Sequence, residues 1–105
     1  MTDKHEENEM LSVELLRRVA DVLRMLAHPL RLRIIENLRY RSEVPVHEIS
    51  EALHIPQATA SQHLNLMRRA GIIKSRRQGK EVFYSIADER CVGILECMRG
   101  KEANG

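Results

Sequence analysis

The side chains with the clearest chemical potential lie between Pro56 and Lys80. Gln57, Thr59, Ser61, Gln62 and His63 come first, a cluster of short polar groups that both donate and accept hydrogen bonds. Arg68, Arg69, Lys74, Arg76, Arg77 and Lys80 follow, and the whole stretch contains no Asp or Glu. Glutamine amides can pair bidentately with adenine, while Ser and Thr hydroxyls suit several base edges. Cations gathered in one acid-free segment suit a phosphate backbone. This chemistry is recognition of double-stranded DNA, with Gln57, Thr59, Ser61, Gln62, His63, Arg69, Arg76, Arg77 and Lys80 as the candidate contacts.

Other reactive residues form no comparable constellation. The chain has two cysteines, Cys91 and Cys97, six apart on one segment. They are either small apolar core residues or a thiol or soft-metal sensor, which would need exposure and a depressed pKa. A nucleophilic role for Cys91 lacks paired carboxylates or a glycine-rich nucleophile turn to support it, so an enzyme is not expected. Of the five histidines, His47 and His54 could share a face of one short helix, His28 precedes Pro29, and His5 lies near the start. No metal and no cofactor are expected.

The elements that must position these residues follow from apolar period. Leu11, Leu15, Leu16, Val19, Leu23 and Leu26 recur at helical spacing, with Ser12 a plausible N-cap, which predicts a helix over 12–26. His28-Pro29 breaks it, and proline suits the first turn of a second helix ending near Tyr40. Residues 41–45 form a loop in this reading. Val46, Ile49 and Leu53 mark a short third helix, His54-Ile55-Pro56 a break, and 57–70 a fourth helix with Ala60, Leu64 and Met67 turned inward. Gly71 ends it. The period then changes to two, giving strands at 72–77 and 81–86 joined by Arg77-Gln78-Gly79-Lys80. A last helix runs from an Asp88 cap to about Arg99.

The order is therefore four helices, a basic hairpin and a fifth helix: mainly α with a small β-hairpin, a winged helix-turn-helix. Residues 1–10 form an acidic tail expected to be disordered, 11–99 the single domain, and 100–105 a frayed end. The first nine residues carry a net −3 and the rest +5, so an overall +2 conceals a basic body. The 105 residues make one domain with a modest core, the kind of size that dimerisation often assists. The flanking amphipathic helices predict a homodimer interface from Leu15, Leu16, Val19, Cys91, Ile94, Leu95 and Met98. No apolar stretch approaches the roughly 20 residues of a membrane helix, and a cytoplasmic protein is expected. A winged helix used for protein contact alone is the competing class, against which the acid-free basic segment argues.

Four segments resemble the ArsR/SmtB family of winged-helix repressors: Leu26 to Ile35, Pro56 to Leu64, Met67 to Ile73 and Arg77 to Ile86. Together they lie within about residues 12–98. The resemblance implies a dimer that represses by binding an operator, often released by an inducer, with Gln57, Thr59, Ser61, Gln62 and His63 in the DNA-reading stretch. Many members sense metals, but Pro45 and His47 stand where the third-helix cysteines would be. In the last helix Asp88 matches the first ligand, Arg90 replaces a histidine, and later positions fall at Lys101 and Asn104. Glu36 and Ala103 stand where other members carry a redox dithiol. The chain is most similar to metal-independent members.

Overall fold

A computed structural model describes residues 10–104. The acidic stretch 1–9 lies outside the described residues. Helix α1 spans Val13–Leu26, and the Ser12 hydroxyl caps it by accepting from the Leu15 N–H at 3.1 Å. Helix α2, Pro29–Leu38, begins with proline at its first position, and His28 Nδ1 accepts from the Leu30 N–H at 3.1 Å. The helix stops two residues before the expected Tyr40, which sits in the left-handed region with φ 63°.

Strand β1 is Val44–Pro45 and passes directly into α3, Val46–Leu53. The sequence places 41–45 in a loop; two of these residues instead pair antiparallel with a later strand. Two residues carry no readable period, and proline, lacking an N–H, fits the edge position it occupies. His54, with φ 57°, ends α3, and α4 follows over Gln57–Arg69. Its end is a Schellman-type closure: the Ile72 N–H donates to the Met67 carbonyl at 3.0 Å, with Gly71 at φ 79°.

Strands β2, Ile73–Gln78, and β3, Glu81–Ile86, complete a three-stranded antiparallel sheet in the order β1-β3-β2. The register runs from Ile73 opposite Ile86 to Gln78 opposite Glu81, so the turn contains only Gly79 and Lys80, tighter than the sequence suggests. Gly79 has φ 63° and Lys80 does not share it, the pattern of a hairpin turn with glycine first. Helix α5 covers Glu89–Asn104, with the Asp88 carboxylate accepting from the Arg90 N–H at 3.0 Å. It passes the expected end at Arg99, because Gly100 is followed by Lys101, Glu102 and Ala103, which favour helix. No helix among the described residues is long and apolar enough to cross a membrane.

One core joins these elements. Ile34, Ile35 and Leu38 of α2, Ile49 of α3, and Ala60, Leu64 and Met67 of α4 are fully buried beside Ile72, Ile73 and Tyr84. Cys91 and Val92 of α5 close the other side. Helix α1 commits only Leu26 fully and leaves Val13, Leu16 and Leu23 exposed. The dimer-face reading is corrected at Cys91: it is 0% exposed within a single chain and faces the chain's own core. Leu15, Val19, Ile94 and Leu95 are partly buried, and Leu16 and Met98 are exposed.

Leu64 fixes α4 to this core without reaching its outer face. Leu64→Ala is expected to lower unfolding free energy by about 2–5 kcal/mol, measured by urea denaturation. A loss below about 1 kcal/mol would contradict the packing.

Candidate nucleic-acid interface

Burial of Ala60, Leu64 and Met67 at steps of four and three orients α4. Its opposite side carries Ala58, Gln62, Asn65, Leu66 and Arg69, all exposed. These spacings place them on one helical face. Gln62, Asn65, Leu66 and Arg69 line a shallow groove on that face. Gln57 is exposed at the first turn, whereas Thr59 and Ser61 are partly buried at the flanks. Leu66, 41% exposed, is an apolar group amid polar ones that a search for hydrogen-bonding residues overlooks.

His63 departs from its expected role. Its ring is partly buried and turned towards α2, where its Nδ1 accepts from Arg31 Nε at 3.2 Å. The His28 ring meets it edge-on with centroids 4.9 Å apart. Burial, then the Arg31 and His28 charges, push the His63 pKa below its ordinary value. The residue joins α4 to α2; it does not stand on the open face.

The cations divide into tied and free. Arg76 is tied: Nε and Nη2 donate to the two Glu43 carboxylate oxygens at 2.8 and 3.0 Å, and Nη1 donates to Gln78 Oε1 at 3.0 Å. Its guanidinium also lies 5.0 Å from the Phe83 ring centroid. Arg76 therefore braces the wing against the segment before β1, correcting its reading as a free contact. Arg68, Arg69, Lys74, Arg77 and Lys80 are exposed and make no ion pair among the described residues. The sequence reading names Arg69, Arg76, Arg77 and Lys80 as contacts; Arg68 and Lys74 share the exposure of Arg69, Arg77 and Lys80. Their signal was already present in the acid-free segment.

The regulatory sites that the resemblance would imply do not fit these residues. Asp88 is occupied by Arg90, whose Nε and Nη2 donate to its carboxylate at 2.9 and 2.7 Å. The cation that would repel a metal is thus already paired with the only matching ligand. His47 Nδ1 lies 2.7 Å from Glu81 Oε1, Pro45 offers no donor, and no group of three metal-ligating side chains gathers among the described residues. Glu36, at the place of a redox cysteine, binds Arg33 and lies 2.6 Å from Arg99 Nη2, tying α2 to α5. Cys91 is buried and its thiol is pushed up to about 11, chiefly by burial, so it is not a low-pKa reactive thiol. Cys97 is exposed.

Fold and surface together define a winged helix-turn-helix protein. A helix-turn-helix domain family matches residues 26–76. The transcriptional repressor SmtB of Mycobacterium tuberculosis is 42% identical over 82 residues, 78% of this chain and 60% of SmtB. The chain thus matches less than two thirds of that relative's length. The transcriptional repressor PagR of Bacillus anthracis is 39% identical over 75% of this chain and 79% of PagR. The PagR crystal structure superposes with a TM-score of 0.74 over 83% of this chain and 99% of that one, at 37% identity. A homodimeric winged helix-turn-helix DNA-binding domain from Mycobacterium bovis, solved in solution, gives 0.74 at 28% identity over 90% of each chain. The chain belongs to the ArsR/SmtB family of winged-helix transcriptional regulators.

Two outcomes follow. A thiol reagent added to native protein should modify Cys97 rapidly and Cys91 only after denaturation, so Cys97→Ser should react slowly until unfolded. Rapid reaction of native Cys97→Ser would place Cys91 at the surface. Second, because His63 is held neutral when folded, the unfolded chain takes up its proton first as pH falls below 6.5. Stability should therefore drop on acidification through that value, and His63→Gln should flatten the drop. Identical pH dependence of wild type and variant would contradict the inward placement.

Proposed function

We propose that the protein is a homodimeric transcriptional repressor that binds a double-stranded DNA operator. The observation that carries this is the open face of α4, lying beside five exposed cations that make no ion pair among the described residues, with no acidic side chain from Pro56 to Lys80. Helix α4 enters the major groove. Gln62 and Asn65 pair with adenine edges, and Leu66 contacts a thymine methyl. Gln57, Thr59 and Ser61 reach bases or phosphates at the groove's edge. Arg68, Arg69, Lys74, Arg77 and Lys80 contact phosphates, setting affinity and register more than sequence choice. The wing, 74–81, follows the flanking backbone or the minor groove, where arginine is favoured.

The dimer forms through α1 and α5. Val13 at 62%, Leu16 at 50%, Leu23 at 47% and Met98 at 63% exposure are large apolar groups that a single chain leaves in water. A second copy would cover them, with Leu15, Val19, Ile94 and Leu95 beneath. A two-fold axis would set two α4 helices about one DNA turn apart and match an imperfect palindrome. The homodimeric M. bovis relative supports this arrangement. The setting is the cytoplasm.

Fluorescence anisotropy with fragments from upstream of the protein's own gene tests the reading. Gln62→Ala should cost about 1–3 kcal/mol of discrimination against altered sites while leaving non-specific binding in place. Arg77→Ala should weaken binding to all sequences alike and reduce the salt slope by about 1. Unchanged site preference in Gln62→Ala would remove α4 as the reading helix. An unchanged slope in Arg77→Ala would remove the wing from the DNA.

A further inference from the structure

A cleft of about 670 Å³ opens between α1, α2, the end of α4 and the start of α5. Arg18 and Arg24 of α1, Arg31 of α2 and Arg90 of α5 line it, with only Asp21 and Asp88 as acids. Asp21 is paired with Arg24 at 2.5 Å and Asp88 with Arg90 at 2.7 Å. Two guanidinium charges are left over. Arg18 makes no ion pair among the described residues. Arg31 is partly buried, yet its partners are all neutral: His63 Nδ1 at 3.2 Å, the Met25 carbonyl at 3.2 Å and Met25 Sδ at 3.0 Å. A sheltered charge normally finds a carboxylate, and this one has none among the described residues. The end of α4, at Ala70 and Gly71, forms one wall and contributes about half a negative charge. That is too little to cancel two cations. Val22 and Met25 supply an apolar floor.

Two further features point to an effector site. Arg18 lies about 150° around α1 from the exposed Leu16 and Leu23, at 100° per residue, so it points away from those two leucines. And Arg31 spans the cleft and the DNA-facing helix, because its Nε is bonded to His63 on α4. An anion that takes the Nε donor of Arg31 competes directly with that bond.

We propose that this cleft binds a small organic anion, a phosphate or carboxylate carried on an apolar body, and that Arg31 couples its occupancy to α4 through His63. The oxygens take the forked donors of Arg31 and the free charge of Arg18, and the apolar body lies on Val22 and Met25. The coupling half rests on the repressor reading above, and the binding half does not.

Phenyl phosphate, benzoate and the uncharged benzamide serve as probes in an NMR titration of ¹⁵N-labelled protein without DNA. At least one anion should give saturable shifts at Arg31, Gly71 and Asp88, and move the His63 ring signals. Benzamide should not. Binding of phenyl phosphate alone selects a phosphate ligand, and of benzoate alone a carboxylate. Arg18→Gln, which leaves the core intact, should weaken binding about tenfold. No saturable shift with either anion, or equal shifts with benzamide, overturns the site. The bound anion should also weaken DNA binding at least about fivefold, and His63→Leu should abolish that effect while still binding the anion. An anion that fills the cleft but leaves both the His63 ring and DNA affinity unmoved overturns the coupling. A protein that binds anion and shifts His63 but never binds DNA refutes only the repressor reading.

Discussion

Everything in this molecule depends on α4 serving two environments at once. Ala60, Leu64 and Met67 are the only stripe it gives to the core, and all three are fully buried. A chain of this size has one core, so α4 cannot be covered on both sides. The face carrying Gln62, Asn65, Leu66 and Arg69 is left outward as a consequence. The αL residue at His54 and the closure at Gly71 limit the helix to the span between them, so its length and direction are fixed by backbone as well as packing.

The charges around α4 divide by task. Arg76 gives its whole fork to Glu43 and Gln78 and lies over Phe83, which holds the wing in place. Such an exposed pair adds little stability by itself; its effect is to fix geometry. Arg77 and Lys80 at the tip, with Arg68, Arg69 and Lys74, make no ion pair among the described residues and are exposed. On the inner side, Arg31 and His63 form the one side-chain hydrogen bond described between α2 and α4. Through it, the arginine-lined cleft is connected to the helix proposed to read DNA.

Long periodic segments were legible from sequence. Helix α1, helix α4 and the β2–β3 hairpin each hold one period for several residues, and their ends carry explicit stops at Pro29, Gly71 and Gly79. Strand β1 was not legible, since two residues cannot display a period and its partner Tyr84 lies 40 positions on. Cys91 was misplaced because Cys91, Val92, Ile94, Leu95 and Met98 share one face of α5, an arc of about 160° at 100° per residue, and spacing alone does not divide that face between the chain's own core and a partner. The open face of α4 was partly legible. Gln62 and Arg69 stand on it as expected, but His63 is turned inward by Arg31, 32 positions away, and Arg76 is claimed by Glu43, 33 away. Such long-range partners leave no local trace.

At the positions that the resemblance assigns to sensing, this chain carries groups engaged with one another. Asp88 is neutralised by Arg90, and Glu36 makes ion pairs where relatives place a cysteine. The buried thiol of Cys91 contributes to packing. Arg18 and Arg31 are the cleft arginines that lack a carboxylate partner among the described residues.

The most direct test of the central claim is an NMR map of which backbone amides move when an operator-bearing DNA fragment is added. Recognition through α4 and the wing predicts the largest shifts along 57–69 and 74–81, with α1 and α5 little changed. Shifts confined to α1 and α5, or none at all along α4, would contradict it.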